Sequence, residues 1–551
     1  MKAKRIWRVI LWLLPALLAV ASWPALLFVG EETELRKART LLLAGDEEGA
    51  SAAFERLRDS LLAGARARAG LAVCGALAAG AEPGVSAPGA PEVDAAPFSL
   101  PLLMMREMRA GRFERCLALA GLAEAWGEPT AGLFRAAALL ETERDDEAAV
   151  LWRTLRPPLR LTMLGRRLGQ ALELRRAGAV TIVRDRGGRL AGIIDDSGVF
   201  NDLEGLVPEL IPQAVVAELA RAGGAAGRSL SIDLELSELA RAALEGYCGS
   251  VVLLDPRSGG ILAAVSDAET LRGGGTPALE QRLEPASITK IVTLTAALRA
   301  GIDADAEIAA MTCEGAHRFE GGILYCLCQA GQLRGLNHAM ATSCNIAFAR
   351  LGVSVGWDDL LAEFRRYGFD APEGEPFAMG AILIDSGSER RLADLAIGLE
   401  AADITPLHAA LIAAAVAGEG VLPTPELIAG VDGALGLSPR AVEPRQGRRM
   451  LERDWLPTLV LAMVAVTGPG GTAAWVAPFG FPVAMKTGTG GDRRRGYHVN
   501  YIGFGPLLQP RVAFCIRVTG QETSPQARDA GYEVTRRLLA GLERTAAQRG
   551  W

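Results

Sequence analysis

The heptapeptide Glu284-Pro285-Ala286-Ser287-Ile288-Thr289-Lys290, running on into the apolar Ile291 to Leu298, decides how this chain is read. Pro285 and Ser287 have the form of a helix start, and the uncharged stretch behind them continues as an apolar helix. On that helix Ser287 and Lys290 stand three residues apart, so both side chains lie on one face. A serine hydroxyl is a weak nucleophile until a neighbour takes its proton, and a lysine in a partly desolvated pocket can do so. The same spacing occurs in many unrelated chains, so the pair needs support from elsewhere.

Lysine usage supplies it. Of 58 Lys and Arg residues only five are lysines, and three of those (Lys2, Lys4 and Lys37) lie near the N-terminus. Arginine keeps its proton in a protein, whereas a desolvated lysine can lose one. The two remaining lysines are Lys290 and Lys486. Lys486 opens Lys486-Thr487-Gly488-Thr489, behind the strand-like Phe481 to Met485. Gly488 lets a substrate backbone approach a strand edge without a Cβ in the way. Lys486 is a cation suited to a substrate carboxylate. Between the two elements lies Ser343-Cys344-Asn345, inside Ala339 to Leu351, which reads as one helical stretch.

These three elements, in this order, resemble those of the penicillin-binding protein and serine β-lactamase superfamily. The likeness runs over about 229–545. It includes the strand–turn–strand Cys248 to Pro256 with Gly259 to Ala263, then Thr405-Pro406-Leu407, Gly471-Thr472-Ala473 and Tyr501 to Pro506. One departure is Met485, where the family usually has glycine. The resemblance implies an α/β (α+β) catalytic domain with a central antiparallel sheet flanked by helices. It also implies roles: Ser287 attacks the carbonyl of a D-Ala-D-Ala stem peptide, and Lys290 is its base. Ser343 passes the proton towards the leaving amine, and Asn345 holds Lys290 and the substrate amide. Lys486 and Thr487 bind the terminal carboxylate, and the backbone N–H groups of Ser287 and Thr489 form the oxyanion hole.

Working outward, Lys2, Lys4, Arg5 and Arg8 precede an uncharged run from Val9 to Val29, and Glu31, Glu32 and Glu34 follow. The run is long enough to cross a hydrocarbon core, and cations before acids put the body outside the cytoplasm. Residues 1–30 are therefore expected to form a cytoplasmic start and single-pass anchor in the inner (cytoplasmic) membrane, with the catalytic domain in the periplasm or outside the cell. Ala19-Val20-Ala21 also fits a signal-peptide cleavage site, and that reading stays open. Residues 31–175 are rich in Ala, Leu, Glu and Arg and read as helical. Gly45 to Ala50, Gly111 to Cys116 and Arg144 to Ala149 form a loose tetratricopeptide-like repeat, whose concave face would suit a protein partner. A plain helical bundle is the competing reading. A Pro/Gly stretch at 82–101 reads as a loop. Residues 176–228, with a hairpin across Arg184 to Gly188, are expected to connect to a catalytic domain at 229–551.

The net charge of −6 argues against a nucleic-acid partner. Eight cysteines in 551 residues make no disulfide scaffold. Cys313 with Cys326-Leu327-Cys328 is their one cluster. A pairing of Cys313 with Cys326 or Cys328 is a hypothesis for an oxidising compartment. With four histidines and no paired C-x-x-C, no metal and no cofactor is expected, a metal site at this cluster being the alternative; Cys344 is read as a packing residue, and the four histidines as structural or surface groups. Arg493-Arg494-Arg495 reads as a solvated loop, with an acidic substrate as the alternative. The leading function is a monofunctional (class B-like) peptidoglycan D,D-transpeptidase, with stem peptides and β-lactams as ligands. A D,D-carboxypeptidase, a β-lactamase and a non-catalytic β-lactam or peptidoglycan sensor are the alternatives.

Overall fold

The computed structural model describes, short breaks aside, residues 47–60, 100–202 and 227–551, with a few positions in 33–41 and 67–71. They fall into two compact units. One holds residues up to 182 with 224–227 and 432–440; the other holds 183–223, 228–431 and 441–551. The apolar run Val9 to Val29, with Ala19-Val20-Ala21, lies outside the described residues, as does the 82–99 part of the Pro/Gly stretch. Among the described residues no helix is long and apolar enough to cross a membrane. The expected loop is shorter at its far end than predicted: Leu100 and Pro101 already belong to the helix Leu100–Arg109. A proline is tolerated there because the first helical N–H groups have no partner anyway.

In the first unit the helices Leu100–Arg109, Phe113–Ala125, Ala131–Glu141 and Asp145–Thr154 each pack on the next, and Met163–Arg176 packs on the last two. The strands Ala179–Arg184 and Leu190–Asp195 flank the predicted glycine turn. There the Asp185 carboxylate accepts the Arg189 N–H at 2.8 Å, and Gly188 takes a positive φ of 81°.

In the second unit, beyond residue 231, come helix α1 (Leu234–Leu244) and strands β1 (Gly249–Leu254) and β2 (Ile261–Ser266). Helices α2 (Lys290–Arg299), α3 (Asn345–Val355) and α4 (Pro406–Ala417) follow. Strands β3 (Ala484–Asp492), β4 (Gly496–Gly505) and β5 (Val512–Gln521) and helix α5 (Ser524–Arg549) complete it. The five strands form one antiparallel sheet in the order β3-β4-β5-β1-β2. The β1–β2 turn needs a glycine: Gly259 has φ 78°, and a Cβ there would lie 2.0 Å from the Thr424 carbonyl.

Helices cover both faces of this sheet, so β1 and β2 are buried along their whole length and read as unbroken apolar runs. On β4, Tyr501 turns towards α5 and donates to the Arg528 carbonyl at 3.1 Å. Asn500, its neighbour, turns to the opposite face. Helix α4 is buried all round, which places it in the core. Its start is capped by Thr405, whose hydroxyl accepts the His408 N–H at 3.2 Å, with Pro406 in the first turn. The five-stranded sheet ends in β3, and that edge strand carries Lys486 to Thr489.

Candidate active site

Two local departures from regular helix build the site. The stretch expected to start as an α-helix at Ser287 begins with a 3₁₀ turn, Ala286–Thr289, and α2 starts only at Lys290. The stretch Ala339 to Leu351 is not one helix. It breaks after Leu336–Ala341, and α3 resumes at Asn345, with Ser343 in the turn between. Ala286 and Ser343 both have φ 52°, a region that costs a residue with a Cβ about 1–3 kcal/mol. Hydrogen bonds hold both residues in place. The Ala286 N–H donates to the Gly398 carbonyl at 2.9 Å, and the Ser343 N–H donates to the Met340 carbonyl at 3.2 Å.

The side chains of the three sequence elements meet. Lys290 Nζ donates to the Ser343 carbonyl at 2.7 Å, to Ser343 Oγ at 3.1 Å and to Asn345 Oδ1 at 2.8 Å. Lys486 Nζ approaches the same Ser343 Oγ at 2.9 Å and donates to the Thr487 carbonyl at 2.7 Å. Ser287 is half-buried, whereas both lysines are fully buried. Burial brings the Lys290 ammonium down to about 8, against the opposing pull of nearby cysteine sulfurs. Burial, and then the charge of Lys290, holds Lys486 well below the usual lysine range. A hydroxyl has one proton and two lone pairs, so Ser343 can accept from one lysine and donate to the other once that one is neutral. The arrangement places the Ser343 hydroxyl between two buried lysine amines, with Ser287 in the 3₁₀ turn that leads into Lys290.

On β3, Gly488 faces Asn500 of β4 in register. A Cβ at 488 would lie 2.9 Å from the Pro285 carbonyl and 3.2 Å from the Ser287 nitrogen. Glycine is therefore needed so that the Ser287 turn can sit against the strand edge, a nearer cause than the approach of a substrate. Thr487 Oγ1 lies 2.6 Å from Thr472 Oγ1, and the Thr472 N–H donates to the Ala341 carbonyl at 2.9 Å. Thr472 thus joins the third element to the segment before Ser343.

A set of supporting residues was not recognised from the sequence. The Asn500 side chain donates to the Glu284 carbonyl at 2.9 Å, and His498 Nε2 lies 2.9 Å from the same oxygen. The buried Arg517 guanidinium donates to Asn500 Oδ1 at 2.7 Å, to the Gln281 carbonyl at 2.7 Å and to the Ile404 carbonyl at 2.8 Å. These bonds tie residues 281–285 to the sheet. The alternation along β4 and β5 could have paired Asn500 with Arg517 once their register was known.

The remaining sequence candidates divide. His408 is buried between the Gly380 N–H at 2.8 Å and the Tyr367 carbonyl at 2.7 Å, a structural role. Arg493, Arg494 and Arg495 are exposed in the β3–β4 turn, where Asp492 accepts the N–H groups of the last two. Cys344 is buried as expected but is not a solitary packing residue: its sulfur lies 3.9 Å from that of Cys326.

Residues 249–540 match the family described as the penicillin binding protein transpeptidase domain, and the chain belongs to that family. Peptidoglycan D,D-transpeptidase PbpA of Mycolicibacterium smegmatis is 31% identical over 318 residues, covering 50% of this chain and 62% of that protein. Peptidoglycan D,D-transpeptidase FtsI of Escherichia coli K12 is 26% identical over 333 residues, covering 54% of this chain and 52% of its own length. The chain thus spans about half to three fifths of the length of these curated relatives. Among solved structures, the D,D-transpeptidase domain of a peptidoglycan glycosyltransferase from Eggerthella lenta shares the fold, with TM-score 0.57 and 23% identity over 68% of this chain and 99% of that one. The penicillin G acyl-enzyme complex of penicillin-binding protein A from M. tuberculosis shares it too, with TM-score 0.53 and 23% identity over 66% and 99% of the two chains.

Proposed function

We propose that this chain is a peptidoglycan D,D-transpeptidase that cross-links stem peptides through an acyl-enzyme on Ser287 and is inhibited by β-lactams. The observation that carries the reading is the convergence of Lys290 and Lys486 on one hydroxyl, that of Ser343, with Ser287 in the turn that leads into Lys290. Neutral Lys290 takes the Ser287 proton as its oxygen attacks the penultimate D-Ala carbonyl. The Ser287 and Thr489 N–H groups receive the developing oxyanion. Ser343 relays a proton to the departing D-Ala amine, while Asn345 holds Lys290. Lys486, Thr487 and Gly488 line the strand edge where the terminal carboxylate and its backbone are held. The acyl group then passes to the amine of a second stem, and Ser287 is regenerated. The relatives named as D,D-transpeptidases favour this over hydrolysis by a carboxypeptidase.

In the same reading, residues 1–30 anchor the chain in the cytoplasmic membrane with the catalytic domain outside, and 176–228 connect to the catalytic domain 229–551. Residues 31–175 are a tetratricopeptide-like array for a protein partner. Two matching helix ends support the array. Gly111 and Glu143, 32 residues apart, both have positive φ, and the next N–H in each case returns five residues: Arg112 to Glu107 and Arg144 to Leu139.

The test is covalent labelling with a fluorescent penicillin. The wild-type chain should retain the label through denaturation and the Ser287→Ala variant should not. A folded wild-type chain that takes no label defeats the acyl-enzyme reading. Incubation with a stem peptide and an amine acceptor should give the cross-linked product; release of D-Ala with no cross-link would make the enzyme a carboxypeptidase.

A further inference from the structure

Four cysteines spread over 32 positions of sequence meet at one point beside the Ser343 turn. The sulfurs of Cys313, Cys326, Cys328 and Cys344 all lie within 4.8 Å of one another. The separations include 3.2 Å for Cys326 and Cys328, 3.4 Å for Cys313 and Cys328 and 3.9 Å for Cys326 and Cys344. Four thiolates at about 2.3 Å from a tetrahedral Zn²⁺ stand about 3.8 Å apart, which is the size of this cluster. An iron–sulfur cluster of several irons would hold its cysteines further apart. Hard cations are disfavoured by an all-sulfur ligand set.

The backbone is built to present these sulfurs. Cys313 lies in a short strand, Thr312–Cys313, paired with Gly331–Gln332. The hairpin Ala316–Phe319 with Gly322–Tyr325 leads straight into Cys326, whose N–H donates to the Gly315 carbonyl at 2.8 Å. Leu327 projects into solvent, so Cys326 and Cys328 both turn inward around it. Cys344 stands at the N-terminal cap of α3, where the helix dipole favours negative charge. The Asn345 N–H donates to the Cys326 sulfur at 3.2 Å, a bond that stabilises a thiolate. Cys313, Cys326 and Cys344 are buried, and Cys328 is half-buried, leaving one side through which an ion can enter. Two disulfides would use the thiols in pairs and would not require all four to be mutual neighbours.

We infer that Cys313, Cys326, Cys328 and Cys344 bind one structural Zn²⁺ as a tetrathiolate. Binding replaces four S–H protons, which go to solvent, by four S–Zn bonds, with no change of oxidation state. The ion would tie the 312–328 segment to the turn that carries Ser343 and Asn345. This assignment departs from the sequence expectation that no metal is held, because the spacing of the cysteines has no paired C-x-x-C form and Cys344 lies far from the others in sequence.

The test is elemental analysis of the purified full chain, with intact-mass measurement under denaturing, non-reducing conditions. One zinc per chain is expected, with no hydrogen lost from the thiols. The Cys313→Ser, Cys328→Ser double variant should carry none. Offering Co²⁺ alone to the metal-stripped wild-type chain should give thiolate-to-cobalt charge-transfer bands with tetrahedral visible bands. This measurement decides the matter even if the double variant fails to fold. Zinc-free protein that gives no such cobalt spectrum, or disulfides mapped among these four cysteines, would overturn the assignment. Metal content is read independently of penicillin labelling, so neither result can be mistaken for the other.

Discussion

In the proposed reaction Lys290 is the residue on which the chemistry turns. It is fully buried, and its three acceptors, the Ser343 carbonyl, Ser343 Oγ and Asn345 Oδ1, are all neutral groups. With no carboxylate beside it, burial favours the neutral amine, which is the form that can accept a proton. The chain uses arginine for nearly all its cations, and an arginine here would keep its proton and could not serve as a base. Lys290→Arg should therefore slow penicillin acylation by about 10²–10⁴-fold, the usual worth of a positioned general base. The measurement is the second-order rate of covalent labelling, with circular dichroism to show that the variant is folded. A folded variant labelled at the wild-type rate would remove Lys290 from the base role. Spacing made the Ser287–Lys290 pair legible in the sequence. It did not show that Ser343 lies between two lysines, because those contacts join residues 53 and 143 positions apart.

At the scale of elements, the Ser287 turn is held against the sheet from β4 and β5. Arg517 is a buried cation held by three oxygens, and burial pushes it down to about 10, so it remains charged at neutral pH. Removing it would leave the Asn500 oxygen and the Gln281 and Ile404 carbonyls short of a donor in a dry site, at about 1–3 kcal/mol for each group left unsatisfied. Arg517→Met should lower unfolding free energy by about 3 kcal/mol or more. It should also slow acylation, because Asn500 would lose the group that orients it towards Glu284. Denaturant titration and penicillin labelling check the two effects. A variant of wild-type stability and labelling rate would show that Arg517 has no part in holding the turn. Unbroken apolar runs bounded by a turn located β1 and β2 well, but local pattern left the 339–351 stretch as one helix. The break at Ser343 has no glycine or proline to announce it; it is imposed by contacts with Lys290, Lys486 and the cysteine cluster.

For the molecule as a whole, two buried neutral histidines set a limit on acid stability. Burial brings both His408 and His498 down to about 4, with the charge of Arg517 adding to the effect at His498. The unfolded value is about 6.5, so between about pH 4 and 6.5 the unfolded chain binds more protons than the folded one. The stabilisation is therefore complete above about pH 6.5, falls as the pH drops through that window, and is gone below about 4. Each histidine contributes at most about 3 kcal/mol. Unfolding free energy measured at about pH 7.5, 6 and 5 should decline in that order, whereas a flat profile would mean that the two rings titrate freely in the fold. The sequence by itself determined the family and the order of the three elements, and it picked out Ser287, Lys290, Ser343, Asn345 and Lys486 as the candidate site residues. It could do so because each element is a short local pattern with a chemical requirement of its own. Only the tertiary structure decided that Ser343 bridges two lysines, that Gly488 makes room for the Ser287 turn, that Arg517 anchors that turn, and that Cys344 joins three distant cysteines. Those facts depend on which segments strand pairing and helix packing bring together, and a one-dimensional pattern carries no direct record of contacts between residues tens or hundreds of positions apart.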